Sequence, residues 1–238
     1  QLETTRGCFN TCAFCVSGGE KPVRTISLEA IRERLNVIHQ HGIKNVRVLD
    51  RTFNYNNKRA KELLHLFREY APDICFHLEI HPALLSEELK EELAVLPSGL
   101  LHLEAGIQSL REPVLEKSRR IGKLSDALQG LKYLCSLKNM ETHADLIAGL
   151  PLYHLSEIFE DVRTLAEYGA GEIQLESLKL LPGTEMRRRA EELGIQYSPL
   201  PPYEVLRTKE ISVEELQTAH YLSLSLIHIS EPTRHAQI

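Results

Sequence analysis

The sequence predicts an α/β fold in which parallel strands are joined by helices. Three observations point there: short apolar runs bounded by turn residues, helical periodicity between those runs, and six alternations of strand with helix when the first strand is counted. Strands separated by helices pair in parallel through right-handed crossovers. At 238 residues the chain has the length of one large domain.

Taken in order, Leu2-Glu3-Thr4-Thr5 reads as a first strand. Leu28, Ile31, Leu35 and Ile38 then recur at helical spacing, with Ser27 as N-cap and Gly42 where that helix should stop. Asn45–Asp50 reads as a strand ending in an acid. Lys58–Tyr70 is helical, with Leu63, Leu66 and Phe67 on one face and Pro72 after it. A strand covers Ile74–Ile80, and a short helix starting at Ser86 carries Leu89, Leu93 and Leu96. Leu100–Ile107 is the fourth strand, followed by a helix over Ser125–Lys138. A strand at Thr142–Ile147, a helix at Leu155–Tyr168 and a strand at Glu172–Leu180 complete the series. Periodicity alone does not choose between an open doubly wound sheet and a barrel.

Hydrophobic content of 42% and charged content of 26% are those of an ordinary globular protein. A net charge of -5 argues against a broad nucleic-acid-binding face. No apolar run approaches the ~18 residues of a transmembrane helix, so no membrane span is expected.

The chemistry is concentrated at Cys8, Cys12 and Cys15, a C-x3-C-x2-C run with Phe14 before the last cysteine and no fourth cysteine nearby. A structural zinc site closes its tetrahedron with four protein ligands. An electron-transfer cluster takes four cysteines. Three thiolates on one loop can instead hold three irons of a [4Fe-4S] cluster and leave the fourth iron open. Cys75 and Cys135 each sit alone in an apolar run and read as core packing. The odd cysteine count and the chain length argue against a disulfide framework. Thiolates that must stay reduced point to the cytoplasm.

This loop resembles that of radical S-adenosylmethionine (SAM) enzymes, Phe14 included. The resemblance implies a partial (β/α)6 TIM-like barrel, a [4Fe-4S] cluster held by Cys8, Cys12 and Cys15, and SAM chelated at the open iron. It also implies reductive cleavage of SAM to a 5′-deoxyadenosyl radical, with electrons from a flavodoxin- or ferredoxin-type donor. In barrels the chemistry lies at the C-terminal ends of the strands, and polar residues are found there. Glu79 ends the third strand in Leu78-Glu79-Ile80-His81-Pro82, where related enzymes contact SAM, and His81 shares its strand face. Gly18-Gly19-Glu20 is similar to the family's Gly-Gly-Glu motif but precedes the first helix, so it reads as a flexible loop. The family's position falls on Leu49-Asp50-Arg51, making Asp50 the acid that meets an ammonium group.

Glu104-Ala105-Gly106-Ile107-Gln108-Ser109 and Asp145-Leu146-Ile147-Ala148-Gly149-Leu150-Pro151 are similar to motifs of the branch that contains oxygen-independent coproporphyrinogen oxidase and many cobalamin-associated enzymes. The resemblance places Gln108, Arg120 and Asp145 around SAM. Arg120 can offer a two-pronged fork to a carboxylate, Arg119 is expected to face solvent, and Glu104 is either a site residue or the partner of Arg120. After Pro151 the chain reads Leu152-Tyr153, where the family often has glycine. Leu180-Leu181-Pro182-Gly183-Thr184-Glu185-Met186 resembles another turn of the branch and reads as a helix start capped by Thr184.

The expected organisation is a radical SAM core over 1–195, the start of a C-terminal extension over 196–222, and a tail over 223–238. Within that tail, Leu224–Arg234 (LSLIHISEPTR) resembles a translated sequencing-library adapter. The chain begins without methionine, and the resemblance implies a cobalamin-binding domain upstream of Gln1. The expected function is radical SAM chemistry on an unknown substrate, with cobalamin-linked methyl transfer as one form. Cobalamin-independent decarboxylation or methylthiolation is the alternative within the family, and a non-catalytic zinc or iron-sulfur binding module is the alternative outside it.

Overall fold

Alternation of buried and half-buried residues sets the central sheet. In the strand Cys75–Ile80, Phe76, Leu78 and Ile80 are buried, while Cys75, His77 and Glu79 between them are half-buried. A computed structural model describes residues 1–230. Nine strands are described: β1 (Thr5–Arg6), β2 (Arg24–Thr25), β3 (Asn45–Arg47), β4 (Cys75–Ile80), β5 (Leu101–Gln108), β6 (Glu141–Ala148), β7 (Glu172–Ser177), β8 (Gln196–Tyr197) and β9 (Val205–Arg207). The main sheet has the order β3-β4-β5-β6-β7. Parallel pairing aligns Val46 with Phe76, and then His77 with His102 and Glu79 with Glu104. Sequence neighbours are thus sheet neighbours, as crossover connections require.

The connecting helices are α1 (Leu28–Gln40), α2 (Asn57–Arg68), α3 (Glu87–Ala94), α4 (Glu112–Lys117), α5 (Leu124–Ser136) and α6 (Leu155–Glu167), followed by α7 (Glu185–Arg188), α8 (Ala190–Leu193) and α9 (Val213–Ser230). The caps follow the sequence: Ser27 accepts from Ala30 N–H, Ser86 from Leu89 N–H and Thr184 from Arg187 N–H. Expected and observed boundaries differ by at most three residues, the usual uncertainty at element ends. Of the tail over 223–238, the first eight residues continue α9; residues 231–238, His235 among them, lie outside the described residues.

The first expected strand differs most. Only Leu2 pairs with the sheet, through a parallel bridge to Val48, and Thr5–Arg6 turns away to pair antiparallel with Arg24–Thr25. The cause is Asp50, which is 1% exposed. Its Oδ1 accepts the backbone N–H groups of Thr4 at 2.8 Å and Thr5 at 2.9 Å, and its Oδ2 accepts the Thr4 hydroxyl. Donors spent on a carboxylate are not available to a sheet ladder.

The chain forms two compact units. The first takes in Gln1–Phe9, Gly19–Gly106 and Ser125–His143, and the second Asn10–Gly18, Ile107–Leu124 and the chain from Ala144 onward. In the first, Phe67 of α2 stacks on Phe76 of β4 with centroids 4.1 Å apart, among fully buried Leu35, Leu63 and Leu78. Each such side chain contributes about 1.5–3 kcal/mol by leaving water. In the second, Tyr153, Ile158, Leu165 and Leu180 are fully buried. Residues 178–180, beyond the end of β7, pair with 203–205 and dock the β8–β9 hairpin.

A polar node sits inside the second unit. Asp161 of α6, 1% exposed, accepts from Tyr153 Oη at 2.6 Å, Leu110 N–H at 2.8 Å and Arg111 Nε at 2.9 Å. It explains the sequence departure after Pro151. Leu152 adopts φ +66°, the left-handed conformation that glycine takes without strain, and the next residue, Tyr153, is anchored on Asp161. Replacing Asp161 by Ala leaves the Tyr153 hydroxyl and the Leu110 N–H without their acceptor, while Arg111 keeps its ion pair with Glu160 at 2.7 Å. Urea unfolding should show a loss of about 1–3 kcal/mol, with Tyr153→Phe losing only about 1 kcal/mol.

Candidate functional site

Each expected site residue has a definite local setting. Cys8 is buried in the first unit, and its N–H donates to Glu20 carbonyl oxygen at 3.0 Å. The Asp50 anchor on Thr4 and Thr5 lies three residues upstream, so it fixes the path of the chain into Cys8. Both Asp50 oxygens are therefore engaged within the fold. Glu79 is half-buried at the end of β4, and its carbonyl accepts Phe53 N–H at 2.8 Å. Asn54 clamps the following turn, donating to His81 carbonyl at 2.9 Å and accepting His81 N–H at 2.8 Å. His81 itself is buried, with its ring 6.3 Å from that of Phe9.

The second unit holds Cys12, Phe14, Cys15, Gln108, Arg120 and Asp145. Here the loop is built by close turns. Cys15 N–H donates to Cys12 carbonyl and Gly18 N–H to Cys15 carbonyl, both at 3.1 Å. A Cβ on Gly18 would lie 2.6 Å from Cys12 carbonyl oxygen, so glycine there is a packing requirement. The expectation of a merely flexible Gly-Gly loop is corrected at Gly18; at Gly19, with φ +80°, nothing lies within 4 Å of such a Cβ. Phe14 and Cys15 are half-buried, while Cys12 and Ala13 are buried.

Two outside segments grip this loop. Ala13 N–H donates to Ser118 carbonyl at 2.9 Å, and Ala13 carbonyl accepts Met186 N–H at 2.8 Å. Buried Asn10 accepts the N–H groups of Thr11 and Ile121 through one oxygen, at 2.9 and 3.1 Å. The strapped segment 118–121 carries Arg120, whose Nη1 lies 3.8 Å from Cys12 Sγ. The structure thus brings Arg120 and Cys12 together, although they are 108 residues apart. Arg119 is 55% exposed, as expected, and pairs with Glu185 at 2.6 Å. The turn ending at Met186 is a clamp on the cysteine loop, a role its sequence does not reveal.

At the end of β5, Gln108 has φ +74°. A non-glycine residue held there is strained, and such strain concentrates at functional positions. Ser109 and Leu110, immediately after it, are tied to Asp161. Asp145 is half-buried on β6.

The residues that sequence reasoning missed lie on β4, β5 and β6. His77 and His102 stack with centroids 4.6 Å apart, and His143 meets both edge-on at 6.0 and 5.5 Å. Glu104, left open between two readings by the sequence, accepts from Arg47 and His77, each at 2.7 Å. Burial raises its pKa, but the His77 hydrogen bond and the Arg47 charge outweigh burial and hold it below the usual carboxylate value. The available signal was polar residues at every second position, His77 with Glu79 and His102 with Glu104, in strands otherwise apolar.

All five cysteines are free thiols. Cys8, Cys12 and Cys15 make a soft three-thiol set on one short loop, the donor chemistry that an iron–sulfur cluster takes. Cys75 and Cys135 are half-buried, less enclosed than the expected core positions.

The family model described as the radical SAM superfamily matches residues 2–169. The chain belongs to the radical SAM superfamily. An uncharacterized methyltransferase of Pyrococcus horikoshii is 27% identical over 188 residues, covering 77% of this chain and 40% of that protein. The cobalamin-dependent radical SAM methyltransferase TokK of Streptomyces tokunonensis is 21% identical over 211 residues, 84% of this chain and 31% of its own length. The solved structure of the radical SAM methyltransferase TsrM from Kitasatospora setae, with cobalamin and a [4Fe-4S] cluster bound, superposes with a TM-score of 0.70 at 19% identity. That match covers 90% of this chain and 45% of that one. The likeness establishes the fold as the partial TIM-like barrel of this superfamily. The chain spans less than half the length of these relatives.

Two outcomes follow from the charge environments. Burial pushes the Cys135 thiol up to about 11, so it stays protonated near neutrality. Iodoacetamide should label Cys135 slowly at pH 8, and faster only as pH approaches 11, as peptide mass spectrometry will show. Glu104 has a depressed pKa, so its stabilisation is present above the unfolded carboxylate pKa and is lost as pH falls through its folded value. Thermal unfolding of Glu104→Gln should accordingly show less acid dependence than that of the parent chain.

Proposed function

We propose that this chain is the SAM-binding core of a radical SAM methyltransferase that works with cobalamin. The observation that carries the reading is the cysteine loop, strapped at Ala13 and faced at Cys12 by Arg120. Cys8, Cys12 and Cys15 are the cluster ligands. When bound, the cluster and SAM supply one-electron reductive cleavage of the SAM sulfonium.

The chain's own residues bind and orient. Arg120, held next to Cys12, offers its fork to the SAM carboxylate. Glu79 at the end of β4 supplies negative charge for the ammonium group. Gln108, with its backbone fixed at φ +74°, and Asp145 on β6 take the ribose hydroxyls. Phe14, between Cys12 and Cys15 in the sequence, would offer an apolar ring to the adenine. Asp50 positions the approach to Cys8 through Thr4 and Thr5.

Methyl transfer is favoured because the relatives from Pyrococcus horikoshii and Streptomyces tokunonensis are both named methyltransferases and the second is cobalamin-dependent. The reading calls for a cobalamin-binding segment outside this chain, a low-potential donor of flavodoxin or ferredoxin type, and a reducing compartment, the cytoplasm. Among the described residues no helix is long and apolar enough to cross a membrane.

Anaerobic reconstitution with iron and sulfide should load about four irons per chain, and SAM should shift the electron paramagnetic resonance of the reduced cluster. Cys12→Ala should lose the iron, whereas Arg120→Gln should keep the iron and lose the SAM-induced shift. Tight zinc retention with no response to SAM would overturn the reading. For the reaction, the product of the intact gene should bind cobalamin with its visible absorption; no binding would return the choice to methylthiolation or decarboxylation.

A further inference from the structure

The C-terminal part of the second unit contains a pocket enclosing about 840 Å³, within the usual size range of small-molecule sites. Arg187, Arg188, Arg207 and Lys209 line it, and Glu191 is the one acidic side chain among its lining residues. The chain as a whole carries a net charge of -5. Four cations around one opening therefore depart sharply from the average surface.

Their pairing is also unusual. Arg189, in the same segment, is neutralised by Glu185 at 3.1 Å and Glu192 at 2.7 Å. Among the described residues none of the four lining cations has an ion-pair partner. Three are nonetheless held in place by other means. The Arg187 guanidinium lies over the rings of Tyr203 and Tyr197, 4.8 and 5.2 Å from their centroids, and its Nη1 donates to Leu180 carbonyl at 2.9 Å. Arg188 Nη1 donates to Gly183 carbonyl at 2.7 Å. The Lys209 stem crosses Gly194 so closely that a Cβ there would come within 2.5 Å of Lys209 Cε, and Nζ donates to Glu192 carbonyl at 3.2 Å. Arg207 is exposed at the end of β9.

Like charges fixed around a cavity repel one another, and an anion relieves that repulsion. Three guanidinium forks match tetrahedral oxyanions better than a point charge does. We propose that this pocket binds a small molecule bearing a phosphate or diphosphate group. The acidic net charge and the confinement of the cations to one pocket favour a small ligand over nucleic acid. The proposal is independent of the SAM reading, because binding here is measured without turnover.

Isothermal titration of the full chain with inorganic pyrophosphate, at constant ionic strength, should show one saturable site. Arg207→Gln and Lys209→Gln should each weaken it about tenfold, the scale of one charge-assisted hydrogen bond. Arg163→Gln, which alters a 75% exposed arginine on α6, should leave it unchanged. Circular dichroism of each variant should match that of the parent chain. The proposal is overturned by the absence of saturable binding, by equal affinity for sulfate, by no effect of Arg207→Gln and Lys209→Gln, or by an equal loss in Arg163→Gln.

Discussion

A buried carboxylate must be given donors, and in this chain that requirement positions the residues on which the proposed chemistry rests. An ionised aspartate without partners is too costly to bury. Asp50 meets the demand with two backbone N–H groups and a hydroxyl from Thr4 and Thr5. Those bonds draw the N-terminal segment off the sheet and into the loop that begins at Cys8. Asp161 meets the same demand in the second unit with Tyr153, Leu110 and Arg111. There the bonds grip the chain two residues beyond Gln108. In both cases the acid acts on neighbouring chain through backbone geometry.

The strand-helix series was legible because parallel strands covered by helices demand apolar residues at fixed spacing, and β4 through β7 and α1 through α6 obey it, α4 excepted. Apart from the 18-residue helix α9, what escaped detection is short. The β1–β2 pair, α4 and the β8–β9 hairpin have two to six residues per element, too few for a period to show. They exist because tertiary partners hold them, as residues 178–180 hold the hairpin. The three cysteines proposed as cluster ligands were legible from local spacing. Asp50 was visible as a strand-end acid, but its partners lie 45 and 46 residues away, and no local pattern announces them. The contact of Arg120 with Cys12 spans 108 residues; family resemblance brought Arg120 into consideration, and the fold supplied the contact.

Local rules are broken beside the Asp161 node. Gln108 and Leu152 both occupy positive φ, a conformation that local preference assigns to glycine. Both lie near the Asp161 node: Ser109 and Leu110 follow Gln108 and bond to Asp161, and Tyr153 follows Leu152 and does the same. A strained residue persists only when its surroundings over-determine it, and the node is that surrounding. The sequence shows the departure at Leu152 as a missing glycine. The structure shows the missing glycine and the buried tyrosine as two parts of one arrangement.

The five thiols show how the same side chain is given opposite tasks by its surroundings. Cys135 is half-buried on α5, and that burial pushes its pKa up to about 11. Burial likewise raises Cys75, with the Glu141 charge adding to it. Neither is a ready metal ligand, because the thiolate is the ligand form. Cys12 is buried too, yet its sulfur faces a guanidinium at 3.8 Å, the charge that a bound thiolate requires. Burial excludes water from that sulfur, and Arg120 offsets the electrostatic cost that burial imposes. Spacing selects which cysteines sit on one loop, but the cation on residues 118–121 sets Cys12 apart from Cys75 and Cys135, and the hydrogen bonds of Asn10 and Ala13 hold the segment that carries it.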